Sequence, residues 1–193
     1  MNKRDFGFTL VELLLVIMVI SILMAIATPI VFKAREKASK IQARKDVNAI
    51  EAAILAYYQF YGKLPMPSGS QNMPEPEYFT GAQGHTNDSK KIIYALTGRS
   101  NGVVSNPKKE TFLTVRDTDK PGQVWKGKFE DPWDAQYEIK LDADYNGKVD
   151  FYSGGQEIVD SMVVVVSRGP DGVMTPPSQL APKDEIMSYI IPK

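Results

Sequence analysis

Residues 13–32 read Leu13-Leu14-Leu15-Val16-Ile17-Met18-Val19-Ile20-Ser21-Ile22-Leu23-Met24-Ala25-Ile26-Ala27-Thr28-Pro29-Ile30-Val31-Phe32, twenty positions without a charge. At about 1.5 Å of rise per residue, a helix of this length spans the roughly 30 Å hydrocarbon core of a bilayer. A cleaved secretory signal has a shorter apolar region, a small-x-small site after it and polar sequence beyond. Ala25, Ala27 and Thr28 imitate such a site, but the helical pattern continues past them, so the run reads as a membrane segment.

Downstream, Ala34, Ala38, Ile41, Val47, Ile50, Ala53, Ile54, Tyr57 and Tyr58 recur at intervals of three and four, the stripe of an amphipathic helix. Gly62 is the expected cap and Pro65 the stop. Tyr57, Tyr58, Phe60 and Tyr61 read as core between this helix and a globular domain. That domain, residues 62–193, opens with a Pro-, Gly-, Ser- and Asn-rich connection over Leu64–Asp88. A short helix is expected over Ser89–Leu96 with Ser89 as its N-cap. Strands are expected at Phe112–Val115, Gln136–Leu141, Val149–Tyr152 and Met162–Val166. One long helix followed by strands predicts an α+β fold with a small, mainly antiparallel sheet packed on the helix.

Composition removes several classes of function. Lys plus Arg and Asp plus Glu balance at 23 each, so no basic excess points to nucleic acid. The absence of cysteine excludes disulfide scaffolds, thiol catalysis and Cys-type zinc sites. The single histidine, His85, rules out a His-rich metal site and reads as a loop residue.

Just before the apolar run stands Lys3-Arg4-Asp5-Phe6-Gly7-Phe8-Thr9-Leu10-Val11-Glu12. A carboxylate at the edge of a membrane helix is costly without a partner, by about 2.5–3.5 kcal/mol at the helix centre and less toward an end. This stretch closely resembles the class III signal of type IV pilins and of the major (G-type) pseudopilins of type II secretion. The resemblance implies that residues 1–7 are a leader and that prepilin peptidase cuts between Gly7 and Phe8. It further implies that Phe8 is N-methylated and that Glu12, fifth in the mature chain, pairs with the amine of a neighbouring subunit during filament assembly. Pro29 falls where the family has its helix-kinking proline. The implied layout is residues 8–32 as the transmembrane and assembly half of the helix, residues 33–61 as its amphipathic half, and residues 62–193 as a periplasmic β domain in a pilin fold. From Lys33 to Asp46 there are six basic residues against two acidic ones, and a positive-inside count alone would put the globular domain in the cytoplasm. The resemblance implies the opposite orientation, in the bacterial inner membrane.

Three loops carry candidate chemistry. Asp131-Pro132-Trp133-Asp134-Ala135-Gln136-Tyr137 resembles the Asp-Pro-Trp-Gly-x-x-Tyr signature of major pseudopilins, with Asp134 in place of Gly. Its expected role is structural, Pro132 fixing a turn while Trp133 and Tyr137 fill the core. Asp142, Asp144, Asn146 and Asp150 supply oxygens at positions 1, 3, 5 and 9 of a loop with Gly147 at position 6, as in EF-hand-like calcium loops. Position 12 is Ser153 rather than Glu, so a calcium loop and an Asx-rich hairpin turn both stay open. Finally, Ser167-Arg168-Gly169-Pro170-Asp171-Gly172 with Asp184 and Glu185 looks like the elements that hold structural calcium in major pseudopilins. The ion would clip residues 173–182.

These features predict a non-catalytic filament subunit for type II protein secretion, with prepilin peptidase, minor pseudopilins, an inner-membrane assembly platform and membrane lipid as partners. A type IV pilus subunit is the alternative; the lack of the C-terminal cysteine pair common in such pilins weighs against it. An anchored enzyme using Asp142-x-Asp144 as a metal-binding pair is a third reading. It lacks a nucleotide-binding loop and a candidate base.

Overall fold

The structure, a computed structural model, describes residues 9–67, 77–79, 88–99, 104–115, 130–150, 158–172 and 186–188. The chain divides into two compact units, Met1–Ser39 and Lys40–Lys193, with helix α1 (Leu10–Tyr61) contributing to both. The remaining elements are β1 (Glu77–Phe79), α2 (Asp88–Leu96), β2 (Glu138–Asp142), β3 (Val149–Asp150), β4 (Ile158–Val159), β5 (Val163–Ser167) and β6 (Ile186–Met187).

In the first unit the described part of α1 is exposed all round as far as Ala38. Every large apolar side chain from Leu10 to Phe32 is exposed, from 43% at Val16 to 78% at Leu10. The two hydroxyls in the run are satisfied locally, Ser21 donating to the Ile17 carbonyl at 2.7 Å and Thr28 to that of Met24 at 2.6 Å. Main-chain bonds closed within the helix and an apolar exterior are what a bilayer requires of a spanning segment. The helix continues without interruption through Pro29.

In the second unit α1 buries Ala43, Val47, Ile50, Ala53, Ile54 and Tyr57, a stripe at helical spacing. This corrects the predicted stripe: Ala34, Ala38 and Ile41 are exposed, and burial starts at Ala43. Spacing defines a face, whereas a partner surface decides where along that face burial begins. Tyr58 and Tyr61 are half-buried, and Phe60 is 47% exposed rather than core. The ring of Phe60 meets Phe112 edge-on at 5.7 Å and carries the Lys108 ammonium 4.9 Å from its centroid. Gly62 caps the helix as expected, with φ +68° and its N–H on the Tyr58 carbonyl at 2.7 Å.

The fold is α+β: the long N-terminal helix packs on a small antiparallel sheet, as in the pilin fold. Strand order is β1-β2-β5-β6, all neighbours antiparallel, and β3 and β4 form a separate two-stranded hairpin. Ile139, Leu141, Val163 and Val165 share the core with α1, and the helix α2 adds Ile92, Ile93, Ala95 and Leu96. The register pairs Glu138 with Val166 and Lys140 with Val164, so these residues and Asp142 line the other face. That face is buried as well, with Glu138, Lys140, Asp142, Val164 and Val166 at most 5% exposed.

Several boundaries differ from expectation. The segment 64–88, read as loop, contains β1. Helix α2 begins at Asp88, so Ser89 lies inside it and its hydroxyl donates to Gln136 Oε1 at 3.4 Å instead of capping. Phe112–Val115 is no strand. Phe112 and Leu113 both donate to the Leu96 carbonyl, at 2.8 and 3.0 Å, and among the described residues pairing here is a single bridge between Thr97 and Thr111. Gly98 lets that bridge close, because a Cβ there would lie 2.8 Å from the Lys109 carbonyl and the Thr111 hydroxyl. In the predicted strand Val149–Tyr152, the first two residues form β3 and the last two lie outside the described residues.

Candidate functional site

Helix α1 starts with a reciprocal cap. The Glu12 amide donates to Thr9 Oγ1 at 3.3 Å, while the Thr9 amide and hydroxyl donate to Glu12 Oε2 at 2.9 and 2.7 Å. This is a capping box, Thr as N-cap and Glu three residues later, and it satisfies backbone donors that would otherwise be orphaned. Among the described residues, the bonds to the carboxylate fall on Oε2. The Thr-x-x-Glu spacing was legible in the sequence, and it assigns Thr9 a role that reading Glu12 alone misses. Gly7 and Phe8 lie outside the described residues.

Asp131 organises the next cluster. Its Oδ1 accepts the amides of Trp133 at 3.0 Å and Ala135 at 2.9 Å, and its Oδ2 accepts the Ser167 hydroxyl at 2.6 Å, in a buried setting. Ser167 Oγ in turn accepts the Gly169 amide at 3.2 Å. The turn at Asp131 therefore pins the start of the Ser167–Gly172 loop, and the structural role expected of Pro132, Trp133 and Tyr137 gains a partner. Asp134 has φ +65°, a backbone region that favours glycine. Tyr137 is fully buried and donates to Asp46 Oδ2 on α1 at 3.2 Å. Burial and the Asp46 carboxylate beside it push its phenol pKa well up.

Arg168 forms an ion pair with Glu138, both Nε and Nη2 donating to Oε1, and its Nη1 donates to the Gly172 carbonyl at 3.4 Å. Glu138 is 1% exposed, and its Oε2 is a buried oxygen without a hydrogen-bond partner among the described residues. Neither this pair nor the bond from Ser167 to Asp131 had a signature in the sequence, because each joins residues about thirty or more positions apart.

The Asp142 loop is a tight Asx-rich turn. Asp142 accepts the amides of Asn146 at 3.1 Å and Gly147 at 2.7 Å; Asp144 accepts the Asn146 amide at 3.2 Å and its side-chain amide at 2.8 Å. Tyr145 and Gly147 both have positive φ, at +57° and +80°. Burial and the neighbouring Asp144 hold the Asp142 carboxyl above its usual range, and the Asp142 hydrogen bond holds exposed Asp144 below it. Asp142, Asp144 and Asn146 are thus brought together, while the side chain of Asp150 lies outside the described residues. Ser167 and Asp171 share one loop, turned by Gly169 and Gly172 at φ +74° and +68°. Asp184 and Glu185 lie outside the described residues, as do Ser153 and His85. Among the described residues no group of three or more His, Asp or Glu side chains is arranged to hold a metal ion.

No curated protein and no solved structure matches the chain. A family model does, over residues 2–28: the prokaryotic N-terminal methylation motif. The matched stretch covers Gly7, Phe8 and the Thr9–Glu12 cap and runs into the exposed apolar half of α1. The chain therefore carries a type IV pilin-like N-terminal methylation signal on a helix that, alone among the described residues, is long and apolar enough to cross a membrane.

Proposed function

We propose that this chain is a major-type pseudopilin, a structural subunit that prepilin peptidase cleaves between Gly7 and Phe8 and that polymerises into a periplasmic filament for protein secretion. The observation that carries the reading is the methylation motif over residues 2–28 continuing into an exposed apolar helix. The aspartate-rich turn at Asp131 and the Ser167–Gly172 loop, joined through the bond from Ser167 to Asp131, favour the secretion-type subunit over a pilus subunit.

The chemistry at the N-terminus follows from the cap. Cleavage after Gly7 frees a cationic amine at Phe8, which methylation leaves cationic. Thr9 holds Glu12 Oε2 folded toward the helix start, and Oε1, which takes no bond among the described residues, is offered to the amine of an incoming subunit. Pairing removes two charges from an apolar environment at once, so the contact selects correctly registered neighbours.

A structural calcium ion belongs to the same reading, with Asp171, Asp184 and Glu185 as ligands. Ser167, whose hydroxyl is committed to Asp131, then serves the loop's base. A hard cation with several oxygen ligands would supply cohesion to a segment with three prolines.

Co-expression with a prepilin peptidase tests the processing step. Mass spectrometry should find a product starting at methylated Phe8, and Gly7→Leu should abolish it. An intact N-terminus in the parent would sink the proposal. Glu12→Ala should leave the soluble unit folded and lower filament yield at least tenfold, with Thr9→Val intermediate and Thr9→Ser near parental.

A further inference from the structure

The charge-free run ends at Phe32, and the next turn of α1 presents Lys33, Arg35 and Lys37, all exposed. At 100° per residue Lys33 and Lys37 lie about 40° apart, with Arg35 on the opposite side, so the cations encircle the helix instead of forming one stripe. Helical Cα–Cβ bonds tilt toward the N-terminus, here toward the apolar run. Lys37 is about 7.5 Å beyond Phe32 by helical rise, a distance a lysine side chain pointing back along the axis covers. All three charges can therefore meet at one depth, the edge of the apolar segment. The only acid in this turn, Glu36, is already engaged in a polar or electrostatic interaction. The leading half of the helix has no acid except Glu12, which is some 30 Å away along the axis.

We propose that Lys33, Arg35 and Lys37 form a collar that binds the phosphates of anionic phospholipid headgroups in the leaflet where the span ends. The inference rests on the membrane-spanning reading of Leu10–Phe32 and adds a lipid preference to it. Lipid is the occupant that charge complementarity and continuity favour, since the ring follows directly on a surface that only hydrocarbon or another apolar helix can cover. The collar ties the stored subunit to anionic lipid, and this attachment is released when the subunit leaves the bilayer. Each cation near an anionic surface contributes about fivefold in affinity, so three give on the order of a hundredfold at full strength.

The test is native mass spectrometry of the full chain in neutral detergent with phosphatidylglycerol and phosphatidylcholine at equal concentration. The parent should retain the anionic lipid with a preference of about tenfold or more. The triple variant Lys33→Gln, Arg35→Gln, Lys37→Gln should fall to within about twofold of no preference. The variant Lys63→Gln, Lys90→Gln, Lys148→Gln removes the same charge elsewhere and should behave as the parent. Equal retention of both lipids by the parent, an unchanged preference in the collar variant, or an equal loss in the control variant each overturns the collar. So does displacement of the lipid by millimolar inorganic phosphate, which would mark a generic anion site, or a preference seen only where the chain self-associates, which would assign the ring to a second copy. Carbonate extraction of the parent from membranes separates the two levels: release into the soluble fraction refutes the spanning reading itself, and retention leaves only the collar at stake.

Discussion

Replacing Arg168 by Met should be among the most damaging single changes in the globular unit. Glu138 is 1% exposed, its Oε1 takes two bonds from Arg168, and its Oε2 has no partner among the described residues. Removing the guanidinium strands a buried carboxylate, a change that costs about 3–5 kcal/mol where it has been measured. The same variant frees the Gly172 carbonyl and so loosens the loop that Asp131 holds from its other end. For a unit of this size, about 3–5 kcal/mol corresponds to a fall in melting temperature of roughly 6–20 °C. The assay is urea denaturation of the soluble fragment Lys33–Lys193, parent against variant, with the slope checked for constancy. The double variant Arg168→Met, Glu138→Leu separates the mechanisms. It removes both charges and should recover most of the loss, because a hydrophobic replacement of a buried pair is often neutral or better. A single-variant loss below about 1 kcal/mol, or a double variant as unstable as the single, would refute the claim that the stranded charge is the cause.

Asp134→Gly should stabilise the unit by up to about 1 kcal/mol, since Asp134 holds φ +65° and glycine takes that conformation without the Cβ penalty; equilibrium unfolding reads it, and any destabilisation contradicts it. Tyr57 is buried, and that burial pushes its phenol pKa up to about 12 from an ordinary value near 10. The folded state therefore holds this proton more tightly than the unfolded one. Its contribution is complete below about pH 10 and is lost as the pH rises toward 12. Tyr57→Phe should flatten the alkaline fall in stability over that window, and an unchanged slope would count against it. Calcium should raise the melting temperature of the same fragment relative to chelator, and Asp184→Ala should abolish the rise. Loss of the rise only in Asp144→Ala would move the ion to the Asp142 loop, and no response in the parent would remove calcium from the proposal.

What was legible in the sequence divides by range. The membrane-length run, the Gly62 cap and the α+β order follow from periodicities and local chemistry, and each appears in the fold. The extent of the helix stripe did not follow, because Ala34, Ala38 and Ile41 have the right spacing yet are exposed. Strand β2 shows the same limit. Tyr137, Ile139 and Leu141 alternate with polar residues and read as a one-sided strand, yet Glu138, Lys140 and Asp142 are buried too. Polar identity at alternate positions predicts a wet face only when nothing lies over it. The bonds that join Asp131 to Ser167 and Glu138 to Arg168 were hidden for a different reason: they depend on the register of β2 against β5, which no local pattern encodes.

The energetics of α1 constrain any account of how such a chain is used. Seventeen large apolar side chains between Leu10 and Phe32 are exposed. Burying a side chain of this kind fully is worth about 1.5–3 kcal/mol, so leaving this surface in water would cost tens of kcal/mol, more than the whole stability of an ordinary domain. In the proposed reading the surface is covered by lipid before assembly, and in the filament by the same segment of neighbouring copies. Hydrocarbon and apolar helices are nearly equivalent surroundings for Leu and Ile, so the exchange between them releases little free energy. Direction and register then have to come from the few polar groups in the segment. In the proposed filament Glu12, held by Thr9 through Oε2 and with no bond to Oε1 among the described residues, is the group that would prefer one arrangement of neighbours over the many that cover apolar surface equally well.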